Sequence, residues 1–338
     1  MTRSLCTLIC LLVTSISAWA PSASVTTLVG AGGTFPAPLY DRWFDEFEKI
    51  HPGWRLRYLA VGSGEGIHQV TTGAADFGAS DVPLTEEEIT KAKVKVLLFP
   101  TVLGAAVPAY NLPELDQPLR FTPHILAGIF LGTIRKWNDP AIAAANPGVP
   151  LPPSRIVVVH RLEGSGTTYV WTDYLSKVDA LWRRRVGRGI EVPWPVGQAA
   201  RGNGGVVELV KLTPHSLGYC ELNYALQNRL PYGLVRNAAG NFVRAGAGSI
   251  TAAADSKPPL STDFRISITN APGRDAYPIS SFTWLLVPMN MDNEKKTILK
   301  EFLRWMLDEG QDFSQTMGYA PLPRSLAQME RQAVEEIQ

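Results

Sequence analysis

In the stretch RLEGSGTTYVWTDYL, Arg161 stands four residues ahead of Ser165-Gly166-Thr167-Thr168. A fixed positive charge and several small donors at an apparent helix start suit the holding of an anion. The first turn of a helix leaves its N–H groups unpaired and carries the positive end of the dipole. Three further stretches share the pattern: GAGGTFPAP (30–38), VGSGEG (61–66) and FGASD (77–81). Each follows an apparent strand and offers small residues that expose backbone N–H groups. Pro36 suits a first helical turn, where no donor is lost. Taken singly, a Ser or Thr ahead of a helix is first an N-cap. Four such turns together, accompanied by an arginine and two acids, point to a shared anion.

Other chemistry finds little support. GAGGTF lacks the third glycine of a dinucleotide fingerprint, GSGTTY lacks the lysine of a P-loop, and no serine sits in G-x-S-x-G. His51, His68, His124, His160 and His215 are scattered without metal-ligand spacing, so neither a metal nor a cofactor is expected.

The elements that must position these turns alternate strand and helix. TTLVGAGGTF reads as a short strand running into a Gly-rich turn, WRLRYLAVGSGEG as a strand and a second such turn, and RIVVVHR and SFTWLLVPM as strands. The helix PAPLYDRWFDEFEKI places Leu39, Tyr40, Trp43, Phe44, Phe47 and Ile50 at helical spacing and stops at Pro52-Gly53. IHQVTTG, EEEITKAK, HILAGIFLG, TTYVWTDYLSKV, GVVELVKL and EKKTILKEFLRWMLDEG also read as helices. VKVLLFPTVLGAAVPAYN reads as a buried strand long enough to cross between lobes. Such alternation predicts α/β layers of parallel strands covered by helices, with a ligand at the carboxyl ends of strands. The stretch 236–263 reads as an irregular surface excursion.

The 338 residues carry 32 Lys+Arg against 31 Asp+Glu, so no basic excess favours nucleic acid. MTRSLCTLICLLVTSISAWAPSAS has a positive start, a short apolar core and small residues after it, the pattern of a secretory signal over residues 1–24. Cleavage fits after Ala20 or after Ser24, and Pro21 favours the second. Cys6 and Cys10 leave with that segment, so Cys220 remains as a lone, buried and inert thiol.

GAGGTFPAPLYDRWFDEF, GASDVPLT, FPTVLGAAVPAYN, IRKWNDPAIAAANPGV and GSGTTYVWTDYLSKV resemble the periplasmic phosphate-binding proteins of phosphate-specific ABC importers, the PstS family. WPVGQAARGNGGVVELV, LGYCELNYALQ and RDAYPISSFTWLLV continue the resemblance in order over nearly the whole exported chain. It implies a two-lobed venus-flytrap fold of type II, with phosphate in the interlobe cleft. It also implies a monomer in the periplasm that serves an ABC permease and is not an enzyme. Carried over by residue, the ligand contacts fall on Thr34, Phe35, Ser63 and Asp81 in one lobe and on Arg161, Ser165, Gly166 and Thr167 in the other.

In that scheme the hydroxyls and the N–H groups of Phe35, Gly166 and Thr167 donate to the oxyanion. Arg161 brings a planar charged fork, and the Phe35 ring walls off water. Asp81, a pure acceptor when ionised, receives the proton that phosphate keeps. Two positions depart from the family pattern: Glu163, where Asp is usual and which would orient Arg161, and Glu65, where a small residue is usual. A binder of another oxyanion such as sulfate, molybdate or tungstate stands as the alternative, followed by a secreted phosphatase using Ser63 or Ser165. One discontinuous lobe is expected over 25–103 and 283–338, the other over 109–276. Crossovers are expected at 104–108 and 277–282.

Overall fold

The strands among the described residues, in order, are β1 (Thr26–Gly32), β2 (Trp54–Ala60), β3 (Phe77–Ser80), β4 (Val96–Tyr110), β5 (Arg120–Phe121), β6 (Val157–Arg161), β7 (Gln198–Ala200), β8 (Ser216–Glu221), β9 (Leu234–Arg236), β10 (Phe242–Val243) and β11 (Ser280–Pro288). The structure is a computed structural model that describes residues 25–256 and 265–337. The export segment expected at 1–24 lies outside the described residues.

Eight strands join in the order β2-β1-β3-β11-β4-β8-β6-β7. β1 lies parallel to β2 and β3, and β6 lies parallel to β7 and β8. The expected layers of parallel strands are corrected at the centre of the sheet, where β11 runs antiparallel to β3 and β4, and β8 antiparallel to β4. The cause is β4 itself, which runs through both halves of the sheet. Its residues Val96–Ala105 pair with β11 and Ala106–Tyr110 with β8. Every residue from Phe99 to Tyr110 is buried, as a strand covered on both faces requires. The chain returns at Ala320, whose N–H and C=O exchange hydrogen bonds with Leu103.

The helix Ala37–Ile50 buries Leu39, Tyr40, Trp43, Phe44 and Phe47, the predicted stripe, while Ile50 at its end is 55% exposed. The helix Glu86–Lys91 buries nothing. It is held by a capping box between Thr85 and Glu88, with acids at its start and Lys91 at its end. Two expectations need correction. The second helix begins at Ser63, so most of GSGEG lies inside it rather than in a turn. A Cβ on Gly66 would lie 2.3 Å from Gly32 Cα, so that glycine serves close packing against β1. Residues 236–256 are also more ordered than expected, while 257–263 of the expected excursion lie outside the described residues. Within 236–256 β10 pairs with β9, and the helix Ala247–Asp255 buries Ile250 and Ala253. Alanine-rich helices carry a weak apolar stripe, which hides them from periodicity.

Candidate anion site

Parallel pairing aligns the carboxyl ends of β1, β2 and β3, with Gly32 opposite both Ala60 and Ala79. The chain leaves those ends through Thr34-Phe35, Ser63 and Asp81. From the other half of the sheet, β6 ends at Arg161 and leads into the helix Gly166–Val178. The two groups of strand ends meet. Gly64 N–H donates to Gly164 O across the junction at 3.1 Å. A Cβ on Gly166 would stand 2.4 Å from Asp81 Oδ2 and 2.5 Å from Ser63 Oγ, so only glycine allows this approach. Thr34, Phe35, Ser63, Asp81, Arg161, Ser165, Gly166 and Thr167 are all buried there.

The basic and hydroxyl groups form one connected set. Arg161 is 3% exposed, and its Nε donates to Glu163 Oε1 at 3.0 Å while Nη2 reaches the same oxygen. The remaining arm, Nη1, donates to Thr167 Oγ1 at 3.3 Å. Glu163 Oε1 also accepts the Gly202 N–H at 3.0 Å, so the carboxylate that aims the arginine is itself held at a helix start. Ser165 is indeed an N-cap, its Oγ accepting the Thr168 N–H at 3.2 Å. That bond uses a lone pair and leaves the hydroxyl proton free to donate elsewhere.

Asp81 is the opposing element. Its Oδ1 accepts from Thr283 Oγ1 at 2.7 Å, and its backbone N–H points to Ser63 Oγ at 3.4 Å. Oδ2 is buried and, among the described residues, has no hydrogen-bond partner. Burial pushes this carboxyl up to about 7, against the opposing pull of the Thr283 hydroxyl, the Arg161 charge and the Ser63 hydroxyl. The site thus places several donors and a guanidinium beside one acceptor oxygen that lacks a proton to accept.

A model of the PBP superfamily domain matches residues 17–309 of this chain. Phosphate-binding protein PstS of Xylella fastidiosa is 42% identical over 90% of this chain and 85% of its own length. PstS of Pasteurella multocida is 40% identical over 94% of this chain and 92% of its own. This chain belongs to the PstS family. A solved structure of a high-affinity periplasmic phosphate-binding protein, PfluDING, bound with phosphate, superposes with a TM-score of 0.73 at 20% identity, covering 91% of this chain and 93% of that one. The fold is therefore the two-lobed periplasmic-binding-protein arrangement.

Within this PstS-family chain, sequence reasoning passed over several residues that build the site. Asn203, fully buried at the start of the helix Gly202–Leu212, bonds to both Thr34 and Thr167. Thr283 in β11 holds Asp81. Tyr219 in β8 accepts the Arg161 N–H at 3.2 Å and bonds Thr168 Oγ1 at 2.6 Å. Tyr319 OH donates to Phe35 O at 2.7 Å, and Tyr224 OH donates to Thr34 O at 2.7 Å. Asn203 had a signal, since RGNGG opens a helix as the four flagged turns do. Glu65 is exposed and bonds Gln69, and Cys220 is fully buried, with desolvation pushing its thiol well up.

Proposed function

We propose that this protein captures inorganic phosphate between its two lobes outside the cytoplasmic membrane and delivers it to an ABC importer, without a chemical step. One observation carries the reading: among the described residues Asp81 Oδ2 is buried without a hydrogen-bond partner, in a site that holds the Ser63 hydroxyl and feels the Arg161 charge. Against the ionised carboxylate a deprotonated sulfate would meet a like charge, whereas hydrogen phosphate brings the proton this oxygen then lacks. Thr34, Ser63, Ser165 and Thr167 hydroxyls, the N–H groups of Phe35, Gly166 and Thr167, and the Arg161 fork would serve the other oxygens. The Phe35 ring, fully buried, keeps water from that side. The relatives in Xylella and Pasteurella bear the name of phosphate-binding proteins, which supports the same cargo.

Residues 25–103 with 283–338 would form one lobe and 109–276 the other. The change of β4 partner between Ala105 and Ala106 supports a hinge at 104–108, and the bond from Ala106 N–H to Ile279 O supports a second crossover at 277–282. The periplasm is the place of action on this reading, as a monomer that meets its permease there.

Calorimetric titration of wild type and Asp81→Asn with phosphate, arsenate and sulfate tests the reading. Wild type binds phosphate and arsenate and rejects sulfate, while the variant narrows the phosphate–sulfate gap because the amide adds a donor. Failure of wild type to bind phosphate refutes the cargo. An unchanged gap in the variant moves discrimination away from Asp81.

A further inference from the structure

We infer that Asn203 is a specificity-determining positioning residue that makes the hydroxyls of Thr34 and Thr167, one from each lobe, obligate donors toward the anion. This rests on the phosphate-site reading above. Thr34 Oγ1 accepts the backbone N–H of Asn203 at 3.2 Å and its side-chain Nδ2 at 2.8 Å. Thr167 Oγ1 accepts the same Nδ2 at 3.2 Å and Arg161 Nη1 at 3.3 Å. A hydroxyl has two lone pairs and one proton. In each threonine both lone pairs are taken by N–H donors, which leaves the proton as the only group free to bond.

The orientation of the Asn203 amide decides this, because a flipped amide would present an acceptor and draw the hydroxyl protons inward. Its direction is set by Glu221, the last residue of β8, whose backbone N–H donates to Asn203 Oδ1 at 2.9 Å. A backbone N–H can only donate, so the oxygen must face β8 and the NH2 must face the threonines. Among the described residues neither threonine hydroxyl donates to a protein acceptor. Asn203 thus fixes both hydroxyls as donors. Next to Thr34 and Thr167 the cleft takes bare oxygens, and next to Asp81 it takes a protonated one. An oxyanion with one proton and three bare oxygens satisfies all of these positions at once. Asn203 also routes a helix start to the ligand indirectly, since its backbone N–H polarises Thr34 rather than touching the anion.

The test is phosphate affinity by calorimetry in a double-mutant cycle of Asn203→Ala with Thr34→Val, and a second cycle with Thr167→Val. Each single variant is expected to weaken phosphate binding about tenfold to a hundredfold, the range for a lost hydrogen bond to a charged group. The double variants should be no more than about threefold worse than the weaker single, because a hydroxyl released from Asn203 no longer aims its proton. Asn203→Asp, nearly the same shape but with an acceptor toward the threonines, should lose more than the alanine variant while its circular dichroism and urea midpoint stay near wild type. Losses that multiply in both cycles, or an Asn203→Asp protein within threefold of wild-type affinity, would overturn the inference. Wild type that binds phosphate alongside such variants leaves the cargo reading standing, and wild type that does not bind refutes that reading instead.

Discussion

Removing the titration of Asp81 should make the ligand-free protein more stable above about pH 4, by an amount that grows until about pH 7. Folding raises this carboxyl from its ordinary value of 3.8 to about 7. Between those values the folded protein holds a proton that the unfolded chain has lost, so unfolding releases a proton and stability falls as pH rises. Above about pH 7 the whole penalty is present, and below 3.8 it vanishes. At 1.36 kcal/mol per pH unit, the window corresponds to about 4 kcal/mol. Asp81→Asn keeps the shape and cannot ionise. Its stability relative to wild type should therefore improve by about 4 kcal/mol between pH 4 and pH 8. The Thr283 hydroxyl can still bond the amide oxygen, which leaves that contact common to both proteins. Urea unfolding of phosphate-free protein at pH 4, 6 and 8 measures the difference. A stability difference that stays flat over this range would show that Asp81 does not titrate between the folded and unfolded states as argued. Adding phosphate should cancel much of the wild-type deficit at pH 8, since a bound ligand stabilises by mass action and supplies the missing donor.

Arg161→Met should weaken phosphate binding by about 30-fold or more, with an unchanged circular dichroism spectrum, because one member of a buried charged set is lost. Glu163→Gln should weaken it less, since the amide oxygen can still receive the Gly202 N–H; titration of both variants checks the ranking. Gly166→Ala should impair closure, because the added methyl would lie 2.4 Å from Asp81 Oδ2. At least a tenfold affinity loss (about 1.4 kcal/mol) is expected there, and wild-type affinity would mean that the lobes approach differently. X-ray scattering should give a smaller radius of gyration with phosphate than without, through rotation about the two crossovers. Identical curves from protein that demonstrably binds phosphate would remove the hinge.

Local physics wrote much of the site into the sequence. The stripe from Leu39 to Phe47 and the apolar length of β4 are periodicity, and periodicity reports which face of an element must leave water. The turns at Thr34, Ser63, Asp81 and Ser165 were visible because glycines and small donors following apolar runs mark strand ends that lead toward helices. Arg161 stood out because a lone cation beside such donors has few other uses. The pairing of those elements was not legible. Nothing near Ser80 announces that β11, some 200 residues later, pairs beside it and brings Thr283 to Asp81. Asn203 lies 169 positions from Thr34, and its role depends on a backbone N–H of a third element, β8. The same distance effect turned an expected parallel sheet into a mixed one, since β4 had to serve two sheet halves. The burial that lifts Asp81 toward neutrality likewise exists only once distant segments, β11 with Thr283 and the helix start at Gly166 among them, pack around it. A sequence pattern specifies what each segment will bury or donate. Which partner meets it is settled by contacts between segments far apart in the chain, and these form only in the folded state.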